Sequence, residues 1–356
     1  MALMRREFLN RAAQTVGIYP FLVMTPPRMW GHILFEPEAP LVPAKPLPAN
    51  PFVKDGKSLV VIIHGMDPGA QLRTGIELLG GIEKLGLTGK RVLIKPNVVN
   101  NRPPPTITSP AVVKAAVEVM KQSGASDVIV GDSSGIIRFP TRDNLKETGV
   151  QQAAEEAGAR VLALEDEPWV RVEPEQAHIL EYYFVSKPVY DADLIINLPV
   201  VKTHRFASYS CCLKNAVGIV HPKNRPSVAF LAGNWHERIV ELNLAVHPML
   251  NIADGTTIMI AGGPTSGTPA ITNLLLLSGD RVALDVVALA LIRYHNAWDE
   301  VTGKGVWEQR QIKKAVELGL GVGSAEKIEI VNQSLDGSNG KFENVVEFIR
   351  SDILHE

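Results

Sequence analysis

The chain has 356 residues, 46% hydrophobic and 21% charged, proportions that exclude a disordered or fibrous protein and suffice for a sizeable core without covalent staples. Its 36 Lys and Arg against 38 Asp and Glu leave a formal net charge of -2, without the basic excess of a dedicated nucleic-acid binder. The two cysteines, Cys211 and Cys212, are adjacent. This excludes a disulfide framework, a four-thiolate zinc site and a ferredoxin-type iron–sulfur cluster built from this chain alone. They read as buried small residues or, second, as a redox or soft-metal pair.

Arg5-Arg6-x-Phe8-Leu9 resembles a twin-arginine export signal, and the apolar stretch 12–24 has the length of a signal h-region while being too short to span a bilayer comfortably. The other reading is an ordinary N-terminal helix with a basic start. Export predicts a chain that crosses the cytoplasmic membrane folded and ends up periplasmic, at the cell surface or tethered by its leader, with the export machinery as a partner; the alternative is a cytoplasmic protein. Residues 25–57 carry eight prolines, from Pro26 to Pro51, which rule out a regular helix or central strand and predict a linker or extended arm.

The body alternates strands and helices. Short β-branched runs at 58–64, 91–95, 127–131 and 160–164 read as strands buried on both faces. Between them lie helices at 69–85, 110–123 (Ser109 as N-cap, Pro110 in the first turn) and 141–158. An edge strand is predicted at 181–186. A second α/β region follows, with strands at 193–197, 257–261, 273–277 and 327–331 and helices at 211–220, 235–244, 281–295, 308–318 and 342–349. This order predicts an α/β fold: parallel, doubly wound, Rossmann-like sheets with helices on both faces, in two lobes at 58–175 and 176–356.

Ligands of open parallel sheets bind beyond the carboxyl ends of the strands. Five polar clusters follow predicted strands here, ending in Asn97, Gly135, His204, Thr268 and Asp280. Lys95 can be an exposed strand-end lysine or a point charge for an anion; Asn97 can form an Asx-turn or bind the same ligand. Asp132-Ser133-Ser134-Gly135 can cap a helix or offer free N–H groups and hydroxyls to phosphate or carboxylate. Lys202-Thr203-His204 supplies an anion-binding or basic lysine and a histidine that can move protons or ligate a metal. Lys214-Asn215 puts polar groups on an otherwise apolar helix and predicts a ligand. Asp254-Gly255 is a hairpin-type turn or an acid/base or metal-ligating carboxylate. Gly262-Gly263-Pro264 opens a glycine-rich loop that fits neither a Walker A loop nor a dinucleotide fingerprint but suits an anion nest. Asp280 reads as a helix cap. Asp285, amid Val, Ala and Leu, needs a partner, for which Lys202 or Lys214 is the candidate.

Lys95-Pro96-Asn97, Gly131 through Gly135, Leu198 through His204, Leu213 through Gly218, Asp254-Gly255 and Gly262-Gly263-Pro264 resemble a widespread prokaryotic family known as domain of unknown function 362, over roughly residues 58–300. The Lys-Thr-His and Leu-Lys-Asn segments are the most specific parts. Many relatives carry a twin-arginine leader or a ferredoxin-type iron–sulfur domain; this chain matches the former and lacks cysteines for the latter. The resemblance implies no particular reaction. The residues lead to an exported enzyme acting on a small carboxylate or phosphate, with Lys202, His204, Asp132 and Asp254 as acid–base groups. Lys95, Asn97, Ser133, Ser134, Gly135, Thr203, Lys214, Asn215, Gly262 and Gly263 would bind the anion, with a metal or cofactor of unspecified identity as an option. The alternatives are a non-catalytic anion-, metal- or cofactor-binding protein, or clusters that are only turns and caps.

Overall fold

The computed structural model describes residues 35–227, 233–337 and 340–355; the leader and the start of the Pro-rich arm lie outside them. The described strands are β1 (Leu41–Val42), β2 (Val53–Lys54), β3 (Lys57–His64), β4 (Arg91–Pro96), β5 (Asp127–Asp132), β6 (Arg160–Ala163), β7 (Trp169–Val172), β8 (Tyr183–Ser186), β9 (Leu194–Leu198), β10 (Val200–His204), β11 (Ser208–Ser210), β12 (Leu250–Gly262), β13 (Gly267–Ser278) and β14 (Ile328–Ser334). The main sheet runs β14-β3-β13-β12-β9-β4-β5-β6, with β2 on β3 and the β10–β11 pair on β12. The result is a mixed α/β protein with a large, mostly parallel sheet flanked by helices.

Alternation along β3 explains its uninterrupted apolar run. Val61 and Ile63 face one core with Val92, Ile94 and Val130, while Val60 and Ile62 face another with Leu274 and Leu276. Both faces are covered, so no polar residue interrupts the strand. The first core is closed by α1 (Pro68–Leu78) and α2 (Pro110–Gln122). The predicted helix at 141–158 is two pieces, α3 (Thr141–Glu147) and α4 (Val150–Glu156), separated at Gly149 with φ +78°. The expected boundary at 175 does not interrupt the sheet, since β9 and β12 lie between β4 and β13. The described part of the arm is also drawn in: β1 pairs with β7 at an edge, and Lys45 Nζ donates to Ala192 O at 3.2 Å.

Two sequence expectations are corrected by the pair β12–β13. The predicted short strands at 257–261 and 273–277 are parts of a long antiparallel hairpin of 13 and 12 residues. Asp254-Gly255 lies inside β12 instead of in a turn. Gly255 is needed there because an added Cβ would lie 3.0 Å from Leu276 Cδ1 and 3.1 Å from Leu274 O. Because β13 runs antiparallel to β3, the cluster at 278–280 falls on the opposite rim from the other four, where Ser278 Oγ donates to Leu59 O at 2.7 Å. Asp280 caps a helix as expected, accepting from the Val282 and Ala283 N–H groups at 2.8 and 2.9 Å.

The second half of the chain contributes, among other helices, α5 (Cys212–Asn215), α6 (Trp235–Glu241), the long buried α7 (Arg281–Tyr294) and α8 (Arg310–Glu317). Asp285, on α7, pairs with neither Lys202 nor Lys214. It accepts from Cys212 N–H at 2.6 Å, Leu213 N–H at 3.1 Å and the Tyr209 hydroxyl at 3.1 Å. These N–H groups open α5, whose N-cap residue Cys211 supplies no side-chain acceptor. A carboxylate from another helix thus satisfies donors left over by the first turn. Burial raises its pKa to about 6, against the pull of those N–H groups. We expect Asp285→Ala to cost about 3 kcal/mol, since two buried backbone donors lose their acceptor; chemical denaturation of variant and parent measures it.

Candidate functional site

Adjacent parallel strands bring Lys95 and Asp132 together at the C-terminal rim of the sheet. Their Nζ and Oδ1 atoms are 2.6 Å apart and both side chains are buried. Asp132 also accepts from Val98 N–H at 2.5 Å and Ser133 N–H at 2.7 Å. Burial pulls the Lys95 amine down from its ordinary range, and the Asp132 charge opposes this. Gly218 packs on the pair: an added Cβ would lie 2.2 Å from Asp132 Oδ1 and 2.8 Å from Lys95 Nζ.

Asparagines extend this pair across the rim. Asn215 Oδ1 accepts from Lys95 Nζ at 3.2 Å and Asn97 Nδ2 at 3.1 Å, while its Nδ2 donates to Asn197 Oδ1 at 2.8 Å. Asn197 continues to Asn251 Oδ1 at 3.0 Å. Asn97 Oδ1 accepts from Lys202 Nζ at 2.6 Å, and the same amine donates to Thr106 O at 2.7 Å. Burial, then the charge of Lys214, hold Lys202 well below the usual lysine range. Lys202 is therefore a strut beneath the site, absent from the lining of the cavity.

That cavity, of about 330 Å³, opens above the network. Of the predicted residues, Lys95, Asn97, Asp132, Ser133, Gly135, His204, Lys214, Asn215 and Gly263 line it; Ser134, Lys202, Thr203, Asp254 and Gly262 do not. Lys202-Thr203-His204 is a strand instead of a loop, so Lys202 and His204 share a face and Thr203 takes the other. Among the described residues the buried Thr203 Oγ1 has no hydrogen-bond partner.

Lys214 differs from the other cations. It is half-buried on the cavity wall, and among the described residues its amine has no hydrogen-bond or ion-pair partner. Burial first, then the charges of Arg225 and Lys95, lower its pKa to about 8, while Asp132 opposes them. His204 is buried beside it. Its Nδ1 accepts from Phe206 N–H at 3.1 Å, which leaves the ring proton on Nε2. Burial, then Lys214 and Lys202, push its pKa well down, so the imidazole is neutral.

The glycine- and serine-rich segments do not offer the free N–H groups expected of them. Ser133 N–H donates to Asp132 Oδ1, Ser134 N–H to Thr141 Oγ1 at 2.7 Å and Gly135 N–H to Val99 O at 3.1 Å. Gly263 N–H closes the β12–β13 turn onto Ser266 O at 2.8 Å. Asp254 is likewise occupied, by Ser109 N–H at 2.7 Å and by the N–H and hydroxyl of Thr256 at 3.0 and 2.7 Å. It secures the start of α2, and the acid–base role expected of it has no support in this placement.

Sequence reasoning missed Arg225, which is buried against the cavity. Its Nε donates to Val220 O at 3.1 Å, its Nη2 to Ser133 Oγ at 2.6 Å and its Nη1 to Ser134 O. Burial lowers its pKa to about 10. An arginine in an irregular Pro-flanked segment gives no periodic signal. Asn197 was detectable as an amide ending an expected apolar strand, whereas Asn251 stands at the start of β12, ahead of the strand expected at 257–261. The aromatic wall, Phe206 and Trp235, was also missed, although Phe206 stands two residues from His204.

The soft-metal reading of the cysteines fits poorly. Cys211, Cys212 and Asp285 place ligand atoms within 4.8 Å of one another. Burial raises the Cys211 thiol to about 11 and Cys212 well above its usual value, and Asp285 is already committed to α5. The cysteines are buried small residues, with sulfurs 3.8 Å apart.

The family profile described as Domain of unknown function (DUF362) matches residues 92–290, more than half of the chain. The chain belongs to that family. A relative, the Thylakoid-associated protein sll1697 of Synechocystis sp., is 30% identical over 230 residues, covering 63% of this chain and 70% of the relative. The solved lactate racemase apoprotein from Thermoanaerobacterium thermosaccharolyticum is 10% identical, with a TM-score of 0.41 over 83% of this chain and 87% of that one. A solved Thermotoga maritima protein is 14% identical, with a TM-score of 0.38 over 61% of this chain; the match spans 57% of that protein's length. Neither structural likeness bears on the chemistry here. No described helix is long and apolar enough to cross a membrane.

We expect Gly218→Ala to lower stability by about 3 kcal/mol, as its methyl would have to part a buried ion pair whose carboxylate is held by two further N–H groups. The midpoint of urea unfolding, compared with the parent chain, tests this.

Proposed function

We propose that the cavity binds a small anionic molecule and that Lys214 is the group in it that moves a proton, which makes the chain an enzyme acting on a small carboxylate or phosphate. The observation that carries this reading is that, among the described residues, the Lys214 amine has no partner, whereas the buried cations around it are already held by the protein. Lys95, Lys202 and Arg225 have acceptors of their own, and the Asp132 carboxylate is in direct contact with Lys95. A ligand anion supplies the counter-charge that Lys214 lacks. An amine with a pKa of about 8 exists in both protonation states near neutral pH, as an acid–base group must. Asp132 is fixed by Lys95 and two N–H groups, and His204 is neutral. In this reading His204 donates a hydrogen bond to the anion from Nε2, while Asp132 belongs to the floor beneath it.

Isothermal titration with acetate and inorganic phosphate tests the reading. Lys214→Ala should weaken both by about 10-fold or more, the loss of one desolvated ion pair. In the parent chain, affinity should be highest below pH 8 and fall as pH rises through it, because the protonated amine is the binding form and is lost on that side of its pKa. Equal affinities in variant and parent, or a flat profile from pH 7 to about 9, would refute it.

We further propose export, on Arg5-Arg6 and the apolar stretch that follows. A reporter fused to residues 1–24 should leave the cytoplasm, and Arg5→Lys with Arg6→Lys should retain it. Retention of the unaltered fusion would sink the export reading.

A further inference from the structure

The cavity is lined by a half-buried lysine, two exposed arginines and a belt of apolar side chains. Lys214 lies on the inner wall. Ile136, Phe206 and Trp235 form part of the belt. The Phe206 and Trp235 ring centroids are 5.7 Å apart, and the neutral His204 ring lies 6.2 Å from Trp235 and 6.3 Å from Phe206. Two lips close the mouth, Ile137-Arg138 after β5 and Arg205-Phe206 after β10. Each lip pairs an exposed apolar side chain, Ile137 at 40% or Phe206 at 49%, with an exposed arginine. Among the described residues, neither the Arg138 nor the Arg205 guanidinium has a hydrogen-bond or ion-pair partner. Arg102, by contrast, is tied to the β12–β13 turn through Thr265 O at 2.8 Å.

From this arrangement we infer that the ligand is an aromatic molecule with an anionic group at each end, one on Lys214 and the other between Arg138 and Arg205, its ring against Trp235 and Phe206. The inference rests on the reading that Lys214 receives an anion, and extends it from charge to shape. Acetate or phosphate alone would leave the belt wet, and exposed apolar side chains around a cavity mouth gain most from a ligand that covers them. A flat ring gains more than an aliphatic chain of equal size because it meets aromatic faces with little loss of internal freedom. The outer arginines are solvated, so their contribution is smaller and screened by salt.

Titration of the full chain with acetate, benzoate and terephthalate, one anion, one anion on a ring and two anions on a ring, tests this. Benzoate should bind about 10-fold tighter than acetate, a modest share of the free energy of burying a ring. Terephthalate should gain about another 10-fold at low ionic strength, shrinking as salt is added. The double variant Arg138→Ala, Arg205→Ala changes only exposed side chains and should remove the terephthalate advantage while leaving benzoate binding intact. Phe206→Ala should narrow the gap between benzoate and acetate. Benzoate no tighter than acetate, terephthalate no tighter than benzoate, or a terephthalate advantage that survives the double variant, overturns the inference while acetate binding that depends on Lys214 leaves the broader reading standing. No binding of any of the three overturns both.

Discussion

Lys95 and Asp132 meet at 2.6 Å because β4 and β5 are neighbours in register and each carries an ionisable residue within two positions of its end at the same rim. Neither charge can be buried there alone, since an isolated ion in a dry interior costs several kcal/mol. Each therefore holds the other, and both recruit further groups. Asp132 fixes the chain after β4 through Val98 N–H, and Lys95 fixes Asn215 on α5. Asn215 in turn orders Asn97 and Asn197, and Asn97 orders Lys202. The network ties segments from opposite halves of the chain into one floor. Its members are buried and mutually satisfied, so the floor is rigid before any ligand arrives.

The parts of this arrangement legible in the sequence are those set by local periodicity. Apolar runs such as 58–64 and 127–131 declare strands buried on both faces, and parallel strands deliver their terminal residues to one rim. Lys95, Asn97, Asp132 and His204 were found that way and Lys214-Asn215 as a polar pair on an apolar helix, and all line the same cavity. The hairpin defeated the same logic. Asp-Gly is a strong local turn signal, yet at 254–255 the glycine is there to let Leu274 and Leu276 approach. Once β12 is long, β13 must return antiparallel, which carries 278–280 to the far rim.

The remaining errors share one cause. A sequence displays side chains but hides the backbone donors that buried carboxylates and hydroxyls use. Asp285 was matched to lysines because lysines are visible partners, whereas two N–H groups at the head of α5 hold most of it. Asp254 is occupied in the same way by Ser109 and Thr256. The N–H groups of 133–135, expected to be open to an anion, are consumed by Asp132, Thr141 and Val99. A buried polar residue in an apolar setting does need a partner, but that partner is as often main chain as side chain, and only the folded chain says which.

The distinction between committed and uncommitted cations then separates scaffold from ligand site. Lys95, Lys202 and Arg225 each donate to acceptors supplied by the protein, so adding an anion would require breaking bonds already made. Among the described residues Lys214 has none to break, and neither have the Arg138 and Arg205 guanidinium groups at the mouth. His204 adds a donor but no charge, because burial, and then the lysines around it, keep its second proton off. In the proposed function, an anion entering the cavity reaches Lys214 without disturbing the floor beneath it. α5 is pinned at its start by Asp285 and at its end by Asn215, which the Lys95–Asp132 pair holds, and Lys214 between them lines the cavity.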